Sequence, residues 1–176
     1  GGIIWVHNVG LGTWIFQELV KALPEGRALD ASAGGDSNLE ILRTSNRNKI
    51  AVASLAAHGE AKNLQHWHQS YYVQWPRSPK LAEQSIGRTH RQGQDADVVW
   101  VHTCNSLPFD YACYSSTLID ALYIHQSLGT RQKIIYAQYA PTMAKITPPE
   151  VLKERGFRNE PLTSKQQEFL LERFGT

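Results

Sequence analysis

Cysteine is scarce in this chain. Cys104 and Cys113 are the two present in 176 residues, and no CxxC pair occurs. That excludes a disulfide scaffold or a standard zinc ribbon and suits a reducing compartment. Long apolar runs are missing too: none approaches the length of a membrane span, and no signal-peptide pattern is visible. The expectation is an intracellular protein, cytoplasmic, nucleoid-associated or nuclear, with no membrane partner. A strong net charge is also absent. Eighteen Lys+Arg against sixteen Asp+Glu leave +2, too little to argue for nucleic acid by itself. There is no internal repeat and no low-complexity tract. A hydrophobic content of 41% and a charged content of 19% are those of a globular chain. The length fits about one ordinary domain with a real core.

The charge is unevenly spread. Residues 77–94 carry Arg77, Lys80, Arg88 and Arg91 against Glu83, residues 95–130 carry four Asp and no Lys or Arg, and residues 131–176 carry eight Lys/Arg against five Glu. A basic patch beside an acidic stretch is compatible with phosphate binding.

Alternation of element types predicts the fold class. Ile3–His7 (IIWVH) reads as a buried parallel strand. Thr13 is placed to cap a helix, TWIFQELVKAL, with Ile15, Leu19, Val20 and Leu23 on its inner side, ended by Pro24 and Gly26. Arg27–Asp30 reads as a second strand. Gly34 and Gly35 read as a turn, and Asp36 or Ser37 as the cap of a helix through NLEILRTSN. Lys49–Leu55 is a third strand, followed by a loop with His58, Gly59 and Glu60. SYYVQW and Asp97–Thr103 are further strands, and residues 110–137 read as mostly helical. There Leu118, Leu122 and Leu128 are core candidates and Gly129 a break. Strands alternating with helices predict an α/β protein: a parallel sheet of about five or six strands with helices on both faces. Past Ala140, prolines punctuate two short helices, one opened by the TPPE capping box and one running KQQEFLLERF. The expected organisation is a domain over 1–140 and a short helical C-terminal extension over 141–176. The amphipathic last helix either packs back on the domain or serves as a docking surface. The Gly-Gly start, directly before a strand pattern, reads as a mid-chain boundary.

The most informative stretch is Gln84–Gln94, QSIGRTHRQGQ. Read as a helix opened by Ser78 or Pro79 and stopped by Gly93, it puts Gln84, Arg88 and Arg91 on one face. Ala82, Ile86 and Thr89 fall on the other. One side is small and apolar, fit to pack; the other holds an amide and two guanidiniums. By spacing alone, two arginines on such a face usually mean only a solvated helix. His66 and His68 flank Trp67, but a metal site needs more ligands at suitable spacing, so no metal is assigned. The five tryptophans read as core residues, with base stacking as the alternative.

The wording QxxGRxHRxGQ resembles motif VI of superfamily-2 helicases, most closely the Swi/Snf-type DNA-dependent ATPases, and the strand-like DVVWVHTC follows it. The order of the other segments fits the second, C-terminal RecA-like lobe of that family. IIWVHNVGLGTWIFQEL is similar to the motif IV strand and helix. LDAS (Leu29–Ser32) is similar to an LDGS segment, with Ala31 in place of glycine. SLAAHGEAKNLQ (Ser54–Gln65) resembles motif V: Ser54, Ala57, Gly59, Asn63 and Leu64 match, Ala56 stands where arginine is common, and His58 and Ala61 stand where glycines are common. The resemblance covers roughly residues 1–137.

The resemblance implies a RecA-like lobe of an ATP-hydrolysing DNA helicase or translocase. Arg88 and Arg91 would be arginine fingers, whose planar guanidinium grips phosphate oxygens with parallel hydrogen bonds. Such a finger is worth on the order of 10³–10⁵ in rate. Gly59 and Glu60 would lie near the nucleotide, Gln84 would either hydrogen-bond near the γ-phosphate or join motif V to motif VI, and Ser32, Ser54 and Asn63 would face the DNA backbone. For Ser32 and Asn63 simple turn capping is the alternative. No GK[ST] and no DE-type acid pair after a strand occur, so Mg²⁺ and most of the ATP would be held by an N-terminal RecA-like lobe, fused or separate, with DNA, in duplex form, as the other partner. The chain alone is expected to be inactive. A reading from a different class is a degenerate, non-catalytic DNA-binding or protein-docking module.

Overall fold

The computed structural model describes residues 1–33, 40–59, 62–104 and 108–137, with backbone alone at 108, 109 and 111. The chain divides into two compact units, Gly1–Cys104 and Asn105–Thr176. The first holds five strands among the described residues: β1 (Gly2–Val6), β2 (Ala28–Ala31), β3 (Ile50–Ser54), β4 (Gln69–Tyr72) and β5 (Trp100–Thr103). All neighbouring pairs are parallel, in the order β2-β3-β1-β4-β5. The α/β class and the parallel sheet are therefore as the alternating pattern requires. The runs at the centre of β1 and β3 are apolar because both their faces are covered: Ile3, Trp5, Val6, Ala51, Val52 and Ala53 are fully buried.

The helices that the described residues of this unit delimit are α1 (Val9–Ala22), the single turn α2 (Leu55–His58) and α3 (Pro79–Thr89), with a 3₁₀ turn at Thr44–Asn46. Two of them cover opposite faces. Side chains alternate along a strand. Val6 meets α1 at Gly12, whereas its neighbour Trp5 stacks on Tyr72, at a centroid distance of 6.3 Å. Tyr72 in turn reaches α3 through Ser85. So α1 lies on the Val6 face and α3 on the Trp5 face.

Two hydroxyl pairs seat α3. The Ser85 hydroxyl donates to the Ala82 carbonyl at 3.0 Å, so it accepts from the Tyr72 phenol at 2.7 Å. One turn on, Thr89 donates to the Ile86 carbonyl at 3.2 Å and accepts from Ser70 at 3.3 Å. Burial pushes the Tyr72 phenol up, so it remains a donor at any ordinary pH. Ser78 caps α3 by accepting from the Leu81 N–H, with Pro79 at the first helical position.

Several boundaries differ from the sequence expectation. Asn8, not Thr13, caps α1, accepting from the Leu11 N–H at 3.1 Å. Thr13 lies inside the helix and back-bonds to the Val9 carbonyl. An asparagine two residues past the strand outcompetes a threonine that the helix simply runs through. On the expected inner side Val20 is 54% exposed, and the residue of α1 that is fully buried is Gly12. The helix approaches so closely there that a Cβ would lie 2.6 Å from Ser32 Cβ. Of the helix expected through NLEILRTSN, Glu40 is helical, but Ile41–Leu42 form a turn and Thr44–Asn46 a separate 3₁₀ turn; its caps Asp36 and Ser37, and the Gly34-Gly35 turn, lie outside the described residues. The strands expected at SYYVQW and Asp97–Thr103 are shorter than their apolar runs.

The second unit contains α4 (Pro108–Leu128) and α5 (Lys133–Tyr136), separated at Gly129 with φ 64°. Leu118 and Leu122 are buried as expected, but Leu128 is 73% exposed, since it ends the helix. Tyr136 returns to α4, its phenol 3.2 Å from His125 Nε2 and its ring edge-on to the imidazole. The expected helical extension over 141–176 lies outside the described residues.

Gly12→Val should cost about 1–3 kcal/mol, the usual penalty for overpacking a tight contact, seen as a lower denaturant midpoint in urea. A midpoint equal to wild type would mean that α1 and Ser32 are not in close contact.

Candidate functional site

The sequence-singled residues fall into two groups, set by strand direction. Ser32 follows β2 and Ser54 ends β3, at the carboxyl ends of adjacent strands, since Ala31 pairs with Ala53 in the register. Both are buried, at 1% and 4% exposure. The Ser32 N–H and hydroxyl both donate to Asp30 Oδ1, at 2.9 and 2.7 Å, so the hydroxyl proton is committed to an Asx-type turn. Ser54 is the N-cap residue of α2 but makes no side-chain cap bond.

The arginines lie toward the other edge. The α3 helix follows β4 and runs antiparallel to it, so that Ser85 sits by Tyr72 at the end of β4 and Thr89 by Ser70 near its start. Eleven residues carry the chain about 16 Å back across the sheet. The helix stops at Thr89, with His90 as C-cap, and not at Gly93 as the spacing suggests. The residue past His90 is no longer helical, so Arg91 does not share a helix face with Gln84 and Arg88. The apolar face is as expected: Ala82, Ile86 and Thr89 are buried.

The two guanidiniums are in different situations. Arg88 is half-buried and engaged: Nε donates to the Gln84 carbonyl at 3.0 Å and Nη1 to the Lys62 carbonyl at 3.2 Å. Its own carbonyl accepts from the Leu64 N–H at 3.0 Å. The Arg91 side chain is exposed and, among the described residues, its guanidinium has no hydrogen bond or ion pair, although its carbonyl accepts from the Gln94 N–H at 3.1 Å. Gln84 is half-buried, and its Oε1 is an enclosed acceptor without a partner among the described residues.

Between the two edges runs the segment after α2. Gly59 is buried, and a Cβ there would lie 2.4 Å from the Leu55 carbonyl oxygen and 3.2 Å from Leu81 Cδ1, so the site admits glycine on grounds of space. Glu60 lies outside the described residues. Asn63 is exposed, between two residues bonded to Arg88. Gln94, the last residue of the arginine motif, ties the segment down: Nε2 donates to the Trp67 carbonyl at 3.1 Å and to the Thr89 carbonyl at 2.9 Å, and Oε1 accepts from the Ala96 N–H. Gly93, at φ 89°, makes the turn that brings Gln94 there.

Sequence reasoning missed Gln94, and it missed Lys62. The Lys62 ammonium donates to Nδ1 of the fully buried His58. A neutral imidazole that accepts at Nδ1 carries its proton on Nε2. Burial first, and the Lys62 charge second, hold His58 down at about 4, against a smaller raising effect of the Ala31 backbone. Burial also lowers Lys62 itself. The visible signal was His58 standing where glycine is common.

The histidines flanking Trp67 hold no cluster: among the described residues no three His, Cys, Asp or Glu side chains gather as metal ligands. His66 packs on the Trp67 ring at 4.2 Å, and Trp67 is buried, donating to the Lys49 carbonyl. Trp5, Trp67 and Trp75 are core residues as expected, but Trp14 and Trp100 are 58% and 45% exposed. Among the described residues no helix is long and apolar enough to cross a membrane.

No protein-family model matches the chain, and no curated protein matches it. Among solved structures it is similar to the crystal structure of the C-terminal part of the Fun30 ATPase domain. The identity is 17% and the TM-score 0.53, and the match covers 65% of this chain and 38% of that one. The fold is RecA-like. The likeness is one of fold, and the chain spans less than half the length of that neighbour.

His58 sets a pH dependence. The unfolded ring takes up a proton near 6.5 and the folded one near 4, so between these values the unfolded chain binds more protons. Stability therefore rises with pH across that window and is lost as pH falls through it. Burial lowers His66 and His102 as well, which acts in the same direction. The urea midpoint should climb from pH 4 to 6.5, with a shallower climb in His58→Gln; equal slopes in the two proteins would show that the folded ring protonates freely.

Proposed function

We propose that this chain is the C-terminal lobe of an ATP-dependent DNA translocase or helicase of the Swi/Snf type. It would complete an ATP site whose floor and Mg²⁺ ligands belong to an N-terminal RecA-like lobe. The observation that carries the reading is the pair of guanidiniums at the end of α3, Arg88 braced and Arg91 exposed, within a RecA-like fold and the QxxGRxHRxGQ wording. A braced guanidinium has a fixed plane and an exposed one is free to cross a cleft; together they suit a charge that develops on phosphate oxygens in the transition state.

The residues present fit a nucleotide in a limited way. Gln84 Oε1 is an enclosed acceptor, which calls for a hydroxyl or amine donor and not a phosphate; turning the amide about its last bond would present its NH₂ to phosphate instead. Gly59 and Glu60 are assigned to the nucleotide side. The carboxyl-edge group, Ser32 and Ser54, with Asn63 in the connecting segment, is assigned to duplex DNA. Backbone N–H groups at strand carboxyl ends are where α/β sheets hold ligands. Ser32 and Ser54 stand at the carboxyl edge and Arg88 and Arg91 toward the opposite one, while Gly59 and Asn63 lie on the segment that joins the two. The compartment in this reading is an intracellular one that contains DNA.

One observation favours a second reading, a non-catalytic DNA-binding or docking module: Arg88 commits two of its five donors to the Gln84 and Lys62 carbonyls and Ser32 its hydroxyl to Asp30. The two readings part in one experiment. The chain alone should show no ATP turnover. Joined to its N-terminal lobe it should show DNA-stimulated turnover, reduced on the order of 10³-fold by Arg91→Ala and strongly by Arg88→Ala. Full turnover in both variants, or DNA binding that ignores nucleotide and both arginines, would leave the module reading standing.

A further inference from the structure

We propose that Lys62, anchored by His58, is a positioning residue that sets where the Arg88 guanidinium lies. The proposal rests on the ATPase-lobe reading for its consequence in turnover, though not for its geometry.

Lys62 is held at both ends. Its ammonium donates to His58 Nδ1, and its carbonyl accepts from Arg88 Nη1 at 3.2 Å. The imidazole at one end is a fixed point: His58 closes α2 and is fully buried. The guanidinium at the other end rides on α3, which the Tyr72–Ser85 and Ser70–Thr89 pairs seat on the sheet. Next along the chain, the Leu64 N–H donates to the Arg88 carbonyl at 3.0 Å. The carbonyl of Lys62 therefore has little freedom to rotate, and its direction dictates the plane in which Arg88 can donate. Arg91 has no such tether among the described residues.

The departure at His58 and the lysine four residues on are matched in chemistry. A glycine at 58 would offer no acceptor to a long side chain four residues on. Histidine supplies one, and lysine is the residue that reaches it as a donor with three hydrogens. Lys62 acts through Arg88; it is not assigned contact with nucleotide.

The test begins with the chain itself. Hydrogen exchange of the Arg88 guanidinium, followed by NMR, should be slow in the wild type and about fivefold faster in Lys62→Met, the usual effect of weakening one hydrogen bond. His58→Asn, which keeps an acceptor, should retain slow exchange. Arg91 should exchange fast in all three proteins, and a thermal melt confirms that each is folded. Unchanged Arg88 exchange in folded Lys62→Met would overturn the proposal without touching the ATPase reading. In the protein joined to its N-terminal lobe, Lys62→Met should lower turnover about tenfold with a smaller change in KM for ATP, in keeping with a slight misplacement of a reacting group. It should add nothing to Arg88→Ala. Equal losses in the presence and absence of Arg88 would also overturn the positioning role, whereas full activity of Arg91→Ala would count against the ATPase reading alone.

Discussion

Everything at the arginine end of this molecule depends on how α3 is seated. Two strand hydroxyls, Tyr72 and Ser70, donate to two helix hydroxyls, Ser85 and Thr89, four residues apart on one face. Each helix hydroxyl has already given its proton to a carbonyl three residues back, so the direction of donation is fixed. A buried neutral hydrogen bond contributes only about 1 kcal/mol net. Its value here lies in specificity, because any other rotation of α3 would bury unpaired hydroxyls against the sheet. With Ser85 and Thr89 turned inward, Gln84 and Arg88 are turned outward, toward the segment that follows α2.

That segment is the second half of the arrangement. It leaves the carboxyl edge at Gly59, passes alongside α3 and enters β4 at Gln69. Bonds from Arg88 and Gln94 hold it at Lys62, Leu64 and Trp67. The arginine motif thus builds its own surroundings: Arg88 and Gln94 organise backbone, and Arg91 is left exposed. A like division governs the other edge, where Asp30 organises the turn that holds Ser32 and where Gly12 lets α1 come close.

Much of this was legible in residues. Continuous apolar runs at IIWV and IAVAS announce strands covered on both faces, and all their residues but Ile4 and Ile50 are buried at the centre of the sheet. The inward face of α3, Ala82, Ile86 and Thr89, follows from a period of 3.6. What failed to read through were ends and exceptions. The helix expected to run to Gly93 stops at Thr89, because Gln94 captures the Thr89 carbonyl and a positive-φ glycine turns the chain. Val20 has the right spacing to be inside and is not, because the contact of α1 is made at Gly12, where small size matters more than hydrophobicity.

The sequence by itself determined the class of fold, the order of elements and the identity of two guanidiniums worth weighing, since these follow from periodicity, strand length and motif wording, all local properties. Tertiary structure decided which of the two is engaged. Lys62 and Arg88 lie 26 positions apart, and their contact exists only because α3 folds back along β4 and meets the chain returning from α2. Burial of His58 is equally non-local: it makes the ring a neutral acceptor for a lysine whose charge would otherwise stay in water. Spacing along a chain carries no record of such encounters; they arise when elements distant in sequence compete for the same backbone carbonyls and the same small volume.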